Sequence, residues 1–239
     1  MQLALGDDPR TEQLRDIQRR LIAGFGRIMR PPEKRRDPVW ALVQGVIGAR
    51  TKTAVSNAST DRMLAHYGSW DAVADAPLDA LTAQLATATF PELMAQRLKA
   101  CLLTIRQQCG RVDLSHLAAM DTAQAMAWLE TLPGVARKVS AGVVNTSTLD
   151  RKAMVIDTNH RRVLQRMGLV PAKADTARAY EALDPAWPPE WTAGDFDEHH
   201  LLMKRVGQTF CRPSHHDCAR CPLQPHCRTG QAGTAGKRP

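Results

Sequence analysis

Four of the six cysteines of this 239-residue chain lie close together near its C-terminal end. Cys211, Cys218, Cys221 and Cys227 are separated by gaps of six, two and five residues in "CRPSHHDCARCPLQPHC". Four thiolates can bind either a tetrahedral zinc ion or a cubane iron–sulfur cluster. Zinc sites usually contain two short-gap pairs and this segment contains one, so the spacing favours iron–sulfur and leaves zinc and disulfides as alternatives.

A second candidate for chemistry is the segment "LETLPGVARKVSAGVVNTS", residues 129–147. Pro133 and Gly134 predict a tight turn between two helices, after which the amides of residues 135–137 can point toward an anion. An ordinary helix connector is the alternative.

Lys138 follows the turn and precedes a small, apolar helix. A lysine attacks carbon only as a neutral amine, which requires burial or a neighbouring cation such as Arg137; a solvated surface lysine is the alternative.

The third candidate is Asp157 in "MVIDTNHRRVLQRMGLV", residues 154–170. Asp157 and Thr158 follow a short apolar entry and precede an apolar helical face, so Asp157 is predicted to cap a helix. A carboxylate at this position either serves only as a cap or also takes part in catalysis. The remaining cysteines, Cys101 and Cys109, lie in a helical pattern and are predicted to be core residues.

The elements that must position these residues are predicted to be helical throughout. Apolar periodicity and caps indicate helices at about 11–29, from 38 onward behind the cap Asp37, and near 54–67, 78–87, 92–109, 122–130, 173–183 and 195–209. No stretch alternates long enough to require a β-sheet. The tail "RTGQAGTAGKRP", residues 228–239, is predicted to be disordered because it is polar and rich in glycine.

The composition is that of a folded globular protein with a basic surface, 44% hydrophobic and 23% charged with a net charge of +8. A polyanionic partner is therefore plausible, although a basic surface alone is the alternative. We find no signal peptide, transit peptide or membrane-spanning run and expect a reducing, cytoplasmic location, associated with the nucleoid if the source is bacterial. Such a compartment favours metal binding over disulfides.

The cysteine spacing resembles the 4Fe-4S loop of the endonuclease III branch of the helix-hairpin-helix DNA glycosylases. Two further motifs resemble that family: "LPGVARK" is similar to its hairpin "LPGVGRK", and "IDTN" is similar to its "VDTH". The sequence departs from the family at Ala136, where the family has glycine, and at Asn159, where it has histidine. The resemblance covers roughly residues 37–228.

The resemblance implies roles for particular residues. Lys138 matches the family's Schiff-base lysine, and Asp157 matches the aspartate that stabilises positive charge on the sugar. The four clustered cysteines match the ligands of a 4Fe-4S cluster. Arg50 stands where the family usually has a glutamine that fills the gap left by the extruded base, and Phe90 roughly matches an intercalating side chain. The residues expected to contact DNA are Leu132, Gly134, Ala136, Arg137, Arg50, Phe90 and Arg212.

We therefore expect an all-α protein with a six-helix barrel domain, residues 37–149, that carries the helix-hairpin-helix motif. Residues 1–36 and 150–239 would form an iron–sulfur cluster domain, with a DNA-binding cleft between the domains. The implied function is a base-excision DNA glycosylase with AP lyase activity. It would excise a damaged base, expected to be an oxidised pyrimidine, from double-stranded DNA and cleave the strand by β-elimination through a lysine Schiff base. The protein is expected to be a monomer without membrane attachment. The alternatives are a monofunctional glycosylase for adenine or uracil and a non-catalytic iron–sulfur DNA-binding protein.

Overall fold

The computed structural model describes residues 8–235, and in this part of the chain the secondary structure is helical, with no β-strand. The predicted all-helical fold is confirmed. The chain divides into two compact units. The terminal unit contains the residues up to Arg30 and those from Met154 onward, and the central unit is Pro31–Ala153. No helix among residues 8–235 is long and apolar enough to cross a bilayer.

The terminal unit begins with α1 (Arg10–Phe25). The helices of the central unit are α2 (Pro38–Ile47), α3 (Thr53–Tyr67), α4 (Trp70–Asp75), α5 (Leu78–Gln84), α6 (Pro91–Cys109), α7 (Thr122–Glu130) and α8 (Arg137–Thr146). The terminal unit continues with α9 (Thr158–Met167), α10 (Thr176–Leu183), α11 (Ala193–Thr209) and α12 (Arg228–Ala235). Short 3-10 turns occupy Pro32–Lys34, Ser115–Ala119, Asp184–Ala186 and Gln224–His226.

In the central unit, the packing of α2 on α8 places the residues that follow the hairpin. Asp37 caps α2 as predicted, because its Oδ1 accepts hydrogen bonds of 3.0 Å from the amides of Val39 and Trp40. Gly45 on α2 lies against Val139 on α8, and a Cβ added to Gly45 would stand 2.8 Å from Val139 Cγ1. Glycine at this position therefore lets the first turn of α8 pack closely against a buried helix.

In the terminal unit, α1, α9 and α11 enclose a continuous apolar core. Its fully or nearly fully buried side chains include Leu14, Ile17, Leu21, Val163, Leu164, Met167, Leu202, Met203 and Val206. At one point the helices approach so closely that a Cβ on Gly207 of α11 would lie 2.7 Å from Cβ of Asn159 on α9. This contact holds the N-terminal end of α9 beside α11.

The predictions for two chain segments were wrong. The first helix ends at Phe25 rather than near residue 29, because Gly26 takes a φ of 76° and the amide of Ile28 donates to the buried carboxylate of Glu198 at 2.9 Å. The tail predicted to be disordered instead forms α12 from Arg228 to Ala235. Thr229 Oγ1 donates to the Arg166 carbonyl at 3.0 Å, so this helix is attached to α9. The remaining tail residues, 236–239, lie outside the described part of the chain.

Candidate active site and cysteine pocket

The hairpin joins α7 to α8 through residues 131–136. Gly134 takes a left-handed φ of 79°, which favours glycine at this point of the turn. The amide of Val135 donates to the Leu132 carbonyl at 3.1 Å, so it closes the turn instead of pointing to an anion as predicted. Ala136 caps α8 with a φ of −124°, an angle that any residue adopts, and the family's glycine is not required there by the backbone.

Arg137 and Ser140, in the first turn of α8, are held by the end of α7. Arg137 Nε donates to Glu130 Oε1 at 2.7 Å, and Ser140 Oγ donates to the same oxygen at 2.6 Å. Ser140 is buried and Glu130 is partly buried. One carboxylate at the end of α7 therefore holds the first turn of α8, and the Arg137 side chain reaches back across the hairpin to it.

Lys138 is the second residue of α8 and is partly buried. It lies between the hairpin turn and Val139, the residue that packs on Gly45. The helix backbone at this point is therefore fixed from two sides, by the hairpin and by α2. Leu132 is buried beneath the turn, whereas Gly134 and Ala136 are exposed on it. The central unit thus contains Lys138 and all four predicted DNA contacts of the hairpin.

Arg50 and Phe90 lie in two neighbouring loops of the same unit. Arg50 has a left-handed φ of 58°, and its carbonyl accepts a hydrogen bond of 2.9 Å from Thr89 Oγ1. The amide of Thr89 donates in turn to Thr51 Oγ1 at 3.2 Å. Phe90 caps α6 and keeps 41% of its surface exposed. Two residues that are forty positions apart are thus joined through Thr89, and both are exposed to solvent.

In the terminal unit, Asp157 caps α9 as the sequence predicted. Its Oδ1 accepts hydrogen bonds of 2.8 Å from the amides of Asn159 and His160. Its Oδ2 lies 4.0 Å from Nζ of Lys204, and only 12% of the side chain is exposed. Burial by itself would raise the pKa of Asp157, but the charges of His200, His160 and Lys204 and the amide hydrogen bond lower it below the ordinary value. The carboxyl group is therefore ionised at neutral pH.

Three buried histidines, His160, His199 and His200, lie close together near the N-terminal end of α9. His160 donates from Nδ1 to the Val155 carbonyl at 3.1 Å, and His199 donates from Nδ1 to Gln18 Oε1 at 2.8 Å. The rings of His160 and His199 are 5.5 Å apart, and those of His160 and His200 are 5.9 Å apart. Burial lowers the pKa of His160 to about 4 and that of His199 well below its usual range. Both imidazoles are therefore neutral near pH 7.

Sequence reasoning did not find Lys204 or the histidines of α11 as neighbours of Asp157. "HH" at 199–200 and Lys204 are ordinary features of an amphipathic helix, and α11 begins 36 residues after Asp157 (193 − 157). Only the close packing of α11 on α9 at Gly207 brings them together. The signal available in the sequence was the pair of adjacent histidines, because histidine is buried less often than the apolar residues of a helix face.

The four clustered cysteines meet at one pocket. Val163, Met167, Val206 and Leu223 contribute apolar walls to this pocket. The cysteines form no disulfides. Burial raises the pKa of Cys221 to about 11, and burial and the neighbouring thiols raise that of Cys218. Among residues 8–235, no three or more His, Cys, Asp or Glu side chains are grouped so as to hold one metal ion. The cysteines are the residues that could ligate a cluster, each through its own sulfur.

Two arginines of α9 hold the loop that begins at Cys211. Arg166 Nη1 donates to Cys211 Sγ at 3.1 Å and to the Arg212 carbonyl at 2.8 Å. Arg162 Nε donates to the Cys211 carbonyl at 2.7 Å. The side chain of Arg212 is exposed and its Nε donates to the Gln208 carbonyl at 3.0 Å. The helix capped by Asp157 thus also carries the cations that face the cysteine loop.

The fold is that of endonuclease III. A non-covalent endonuclease III–DNA complex superposes with a TM-score of 0.74 at 22% identity, covering 94% of this chain and 98% of that chain. A trapped covalent endonuclease III–DNA intermediate superposes with the same TM-score at 21% identity and the same coverage. These similarities establish the fold.

Sequence comparison assigns the family. Residues 43–189 match the HhH-GPD superfamily of base excision DNA repair proteins, and the chain belongs to that family. The adenine DNA glycosylase of Mus musculus is 32% identical over 139 residues, covering 55% of this chain and 25% of the mouse protein. Protein ROS1A of Oryza sativa subsp. japonica is 25% identical over 182 residues. The match covers 71% of this chain but only 9% of the rice protein.

Proposed function

We propose that the protein is a base-excision DNA glycosylase with AP lyase activity and that Lys138 is its nucleophile. The observation that carries this proposal is a partly buried lysine directly after the hairpin turn, inside the segment that matches the family. The hairpin would bind a phosphate of double-stranded DNA through the amides at the start of α8 and the helix dipole. The enzyme would extrude a damaged nucleotide, which we propose to be an oxidised pyrimidine.

In the proposed reaction, the neutral amine of Lys138 attacks C1′ of the deoxyribose. The C1′–N bond to the base breaks, its electron pair leaves with the base, and the base takes up a proton. The nitrogen loses a proton, the C1′–O4′ bond breaks with its electron pair on O4′, which takes up a proton, and an imine forms between Lys138 and C1′. Removal of a proton from C2′ then breaks the C3′–O bond, which cleaves the strand by β-elimination. Asp157, ionised at neutral pH, would stabilise the positive charge on the sugar.

We also propose that Cys211, Cys218, Cys221 and Cys227 ligate a 4Fe-4S cluster. The support is their convergence on one largely apolar pocket, together with the hydrogen bond from Arg166 to Cys211 Sγ. Thiolates in such a pocket need compensating positive charge, which iron and Arg166 would supply. When bound, the cluster would supply a covalent tie between the end of α11 and the C-terminal segment, and a centre that can exchange an electron. A zinc site is the alternative, which a colourless, iron-free protein would reveal.

A monofunctional adenine glycosylase is the second candidate, favoured by the 32% identity over 139 residues to the mouse adenine DNA glycosylase. In that case Asp157 would activate water and Lys138 would contact a phosphate. We further propose that the protein acts as a monomer. Because double-stranded DNA is the proposed substrate, we place it in the cytoplasm, at the nucleoid in a bacterium. Its affinity for undamaged duplex should fall steeply as salt rises, with a log–log slope of about several units.

The test is a base-release screen on duplexes that contain an oxidised pyrimidine, uracil, mispaired adenine or a plain abasic site. We expect release of the oxidised pyrimidine, cleavage at the abasic site, and a covalent adduct after borohydride reduction. Adenine release without a trapped adduct would favour the monofunctional candidate. Binding of DNA with no base release and no cleavage of any substrate would make the protein a non-catalytic DNA-binding protein and contradict both.

A further inference from the structure

The two carboxylate oxygens of Asp157 have different surroundings. Oδ1 is occupied by the amides of Asn159 and His160, both at 2.8 Å, and so is committed to capping α9. Oδ2 lies 4.0 Å from the ammonium nitrogen of Lys204 on α11. That separation exceeds the length of a hydrogen bond but is short for two opposite charges in a largely buried site. Lys204 therefore acts on Oδ2 through its charge and not through a hydrogen bond.

The charged groups near Asp157 come from both helices packed around it. His160 and Arg162 lie on its own helix, α9, and His200 and Lys204 lie on α11. A histidine contributes charge only when protonated, and burial holds the pKa of His160 at about 4. Arg162 is engaged by the carbonyls of Cys211 and Gly207, both at 2.7 Å. Of the charges that lower the pKa of Asp157, that of His200 has the largest effect, and Lys204 adds to it from the same helix, with its Nζ 4.0 Å from Oδ2.

We infer that Lys204 is a positioning residue for the proposed reaction, one that acts with His200 to favour the ionised form of Asp157 within a largely buried site, without forming a hydrogen bond to Oδ2. A carboxylate with only 12% of its side chain exposed would otherwise tend to bind a proton. A protonated Asp157 could not stabilise positive charge on the sugar. The catalytic consequence rests on the proposed function, whereas the effect on the ionisation of Asp157 does not.

The direct test is the carboxyl titration of Asp157, followed by carbon-13 NMR in the full-length protein and in Lys204→Met and Lys204→Arg. We expect Lys204→Met to raise the pKa of Asp157 by about one unit or more, because an opposite charge within about 4–6 Å lowers a carboxyl pKa by about 1–3 units. Lys204→Arg keeps the charge and should restore the wild-type titration. Arg205→Met is the matched control, since it removes a cation of the same helix that stacks on Phe25, 4.8 Å from the ring centre.

The second readout is the pH dependence of base release by the same four proteins. As the pH is lowered, the rate of base release by Lys204→Met should begin to fall about one pH unit above the point where the wild-type rate begins to fall. At higher pH the rates of the two proteins should converge. Arg205→Met should share any general loss of DNA affinity but keep the wild-type pH profile. Melting temperature and iron content establish that each variant is folded, and Lys204→Arg remains informative if Lys204→Met is not.

The outcomes distinguish the effect of Lys204 on Asp157 from the proposed function. A carboxyl titration that moves in Lys204→Met, with no base release by the wild type from any lesion, supports the charge effect and defeats the proposed function. Active proteins whose carboxyl titration and pH profile are the same in Lys204→Met and Arg205→Met overturn the inference. Borohydride trapping that survives Lys138→Gln and is lost in Lys204→Met would also overturn it, because Lys204 would then be the nucleophile.

Discussion

Glu130 and Arg137 form an ion pair across the hairpin, with Arg137 Nε 2.7 Å from Glu130 Oε1. The same oxygen accepts the hydroxyl of buried Ser140 at 2.6 Å. Arg137 was predicted from the family resemblance to contact DNA, and the structure gives it a partner within the protein. Its guanidinium therefore stabilises the turn that precedes Lys138, whether or not it also contacts DNA.

Removal of the shared carboxylate should destabilise the central unit. We expect Glu130→Ala to lower the free energy of unfolding by about 1–3 kcal/mol, since it removes the carboxylate that accepts hydrogen bonds from Arg137 Nε and from the buried Ser140 hydroxyl. That hydroxyl then keeps only the Arg137 carbonyl, at 3.1 Å, among its acceptors in the described part of the chain. Glu12→Ala is the control: Glu12 pairs with Arg15 and Arg19 but is 67% exposed, so solvent screens these pairs and its loss should change stability far less than the loss of Glu130. Urea unfolding of the two variants measures the difference. Equal losses would contradict the structural role of Glu130.

The proposed cluster predicts that each clustered cysteine is needed for iron. We expect Cys218→Ser to be colourless, poorly soluble and deficient in iron, because all four thiolates complete the coordination. Cys109→Ser is the matched control, since Cys109 lies at the end of α6 in the central unit and does not line the pocket. Iron analysis and the visible spectrum are the measurements. Retention of about four irons per chain in Cys218→Ser would contradict the assignment.

Lys138 and Asp157 should differ on a pre-made abasic site. Lys138→Gln removes the amine, so we expect it to lose strand cleavage and borohydride trapping while DNA binding changes only a few-fold. Asp157→Asn keeps the capping oxygen but removes the charge, so base release should slow by roughly 10² or more. On the abasic site, where no base has to leave, Asp157→Asn should recover part of its cleavage and Lys138→Gln should remain inactive.

The control for the lysine is Lys152→Gln, which removes an exposed lysine of the central unit and should keep wild-type cleavage. Gel assays of cleavage and of the trapped adduct distinguish the three variants. A trapped adduct that forms in Lys138→Gln at the wild-type rate would show that another amine is the nucleophile.

Buried His160 predicts a loss of stability in acid. Burial depresses its pKa from about 6.5 to about 4, so as the pH falls through this window the unfolded chain binds a proton that the folded protein does not. This histidine alone should lower the free energy of unfolding by about 2 kcal/mol between pH 7.5 and pH 5. This loss of stability is absent at pH values above the pKa of His160 in the unfolded chain. It is complete at pH values below the pKa of His160 in the folded protein.

Urea unfolding at the two pH values measures this loss. His160→Asn can keep a donor toward the Val155 carbonyl but cannot titrate, so its stability should depend less on pH than that of the wild type. His66→Gln removes an exposed histidine and should leave the pH dependence unchanged. An undiminished pH dependence in His160→Asn would show that other groups dominate acid unfolding.

Features that depend on neighbouring residues were predictable from the sequence. Asp37 and Asp157 were predicted as helix caps because a carboxylate before the first turn accepts the amides of that turn, whatever the rest of the fold. The hairpin followed from Pro133 and Gly134 in the same way. The prediction for the tail after Arg228 was wrong, because composition does not reveal the bond from Thr229 to the Arg166 carbonyl that attaches α12 to α9.

The surroundings of the functional side chains were decided only by tertiary packing. The sequence by itself determined that Asp157 begins a helix and that four cysteines lie in one short segment. It did not reveal that Lys204 stands 4.0 Å from Asp157, or that Arg137 folds back onto Glu130. The physical reason is that caps and turns use hydrogen bonds between near neighbours in the chain. The charge around a buried carboxylate depends instead on which distant helix packs against it, here at Gly207.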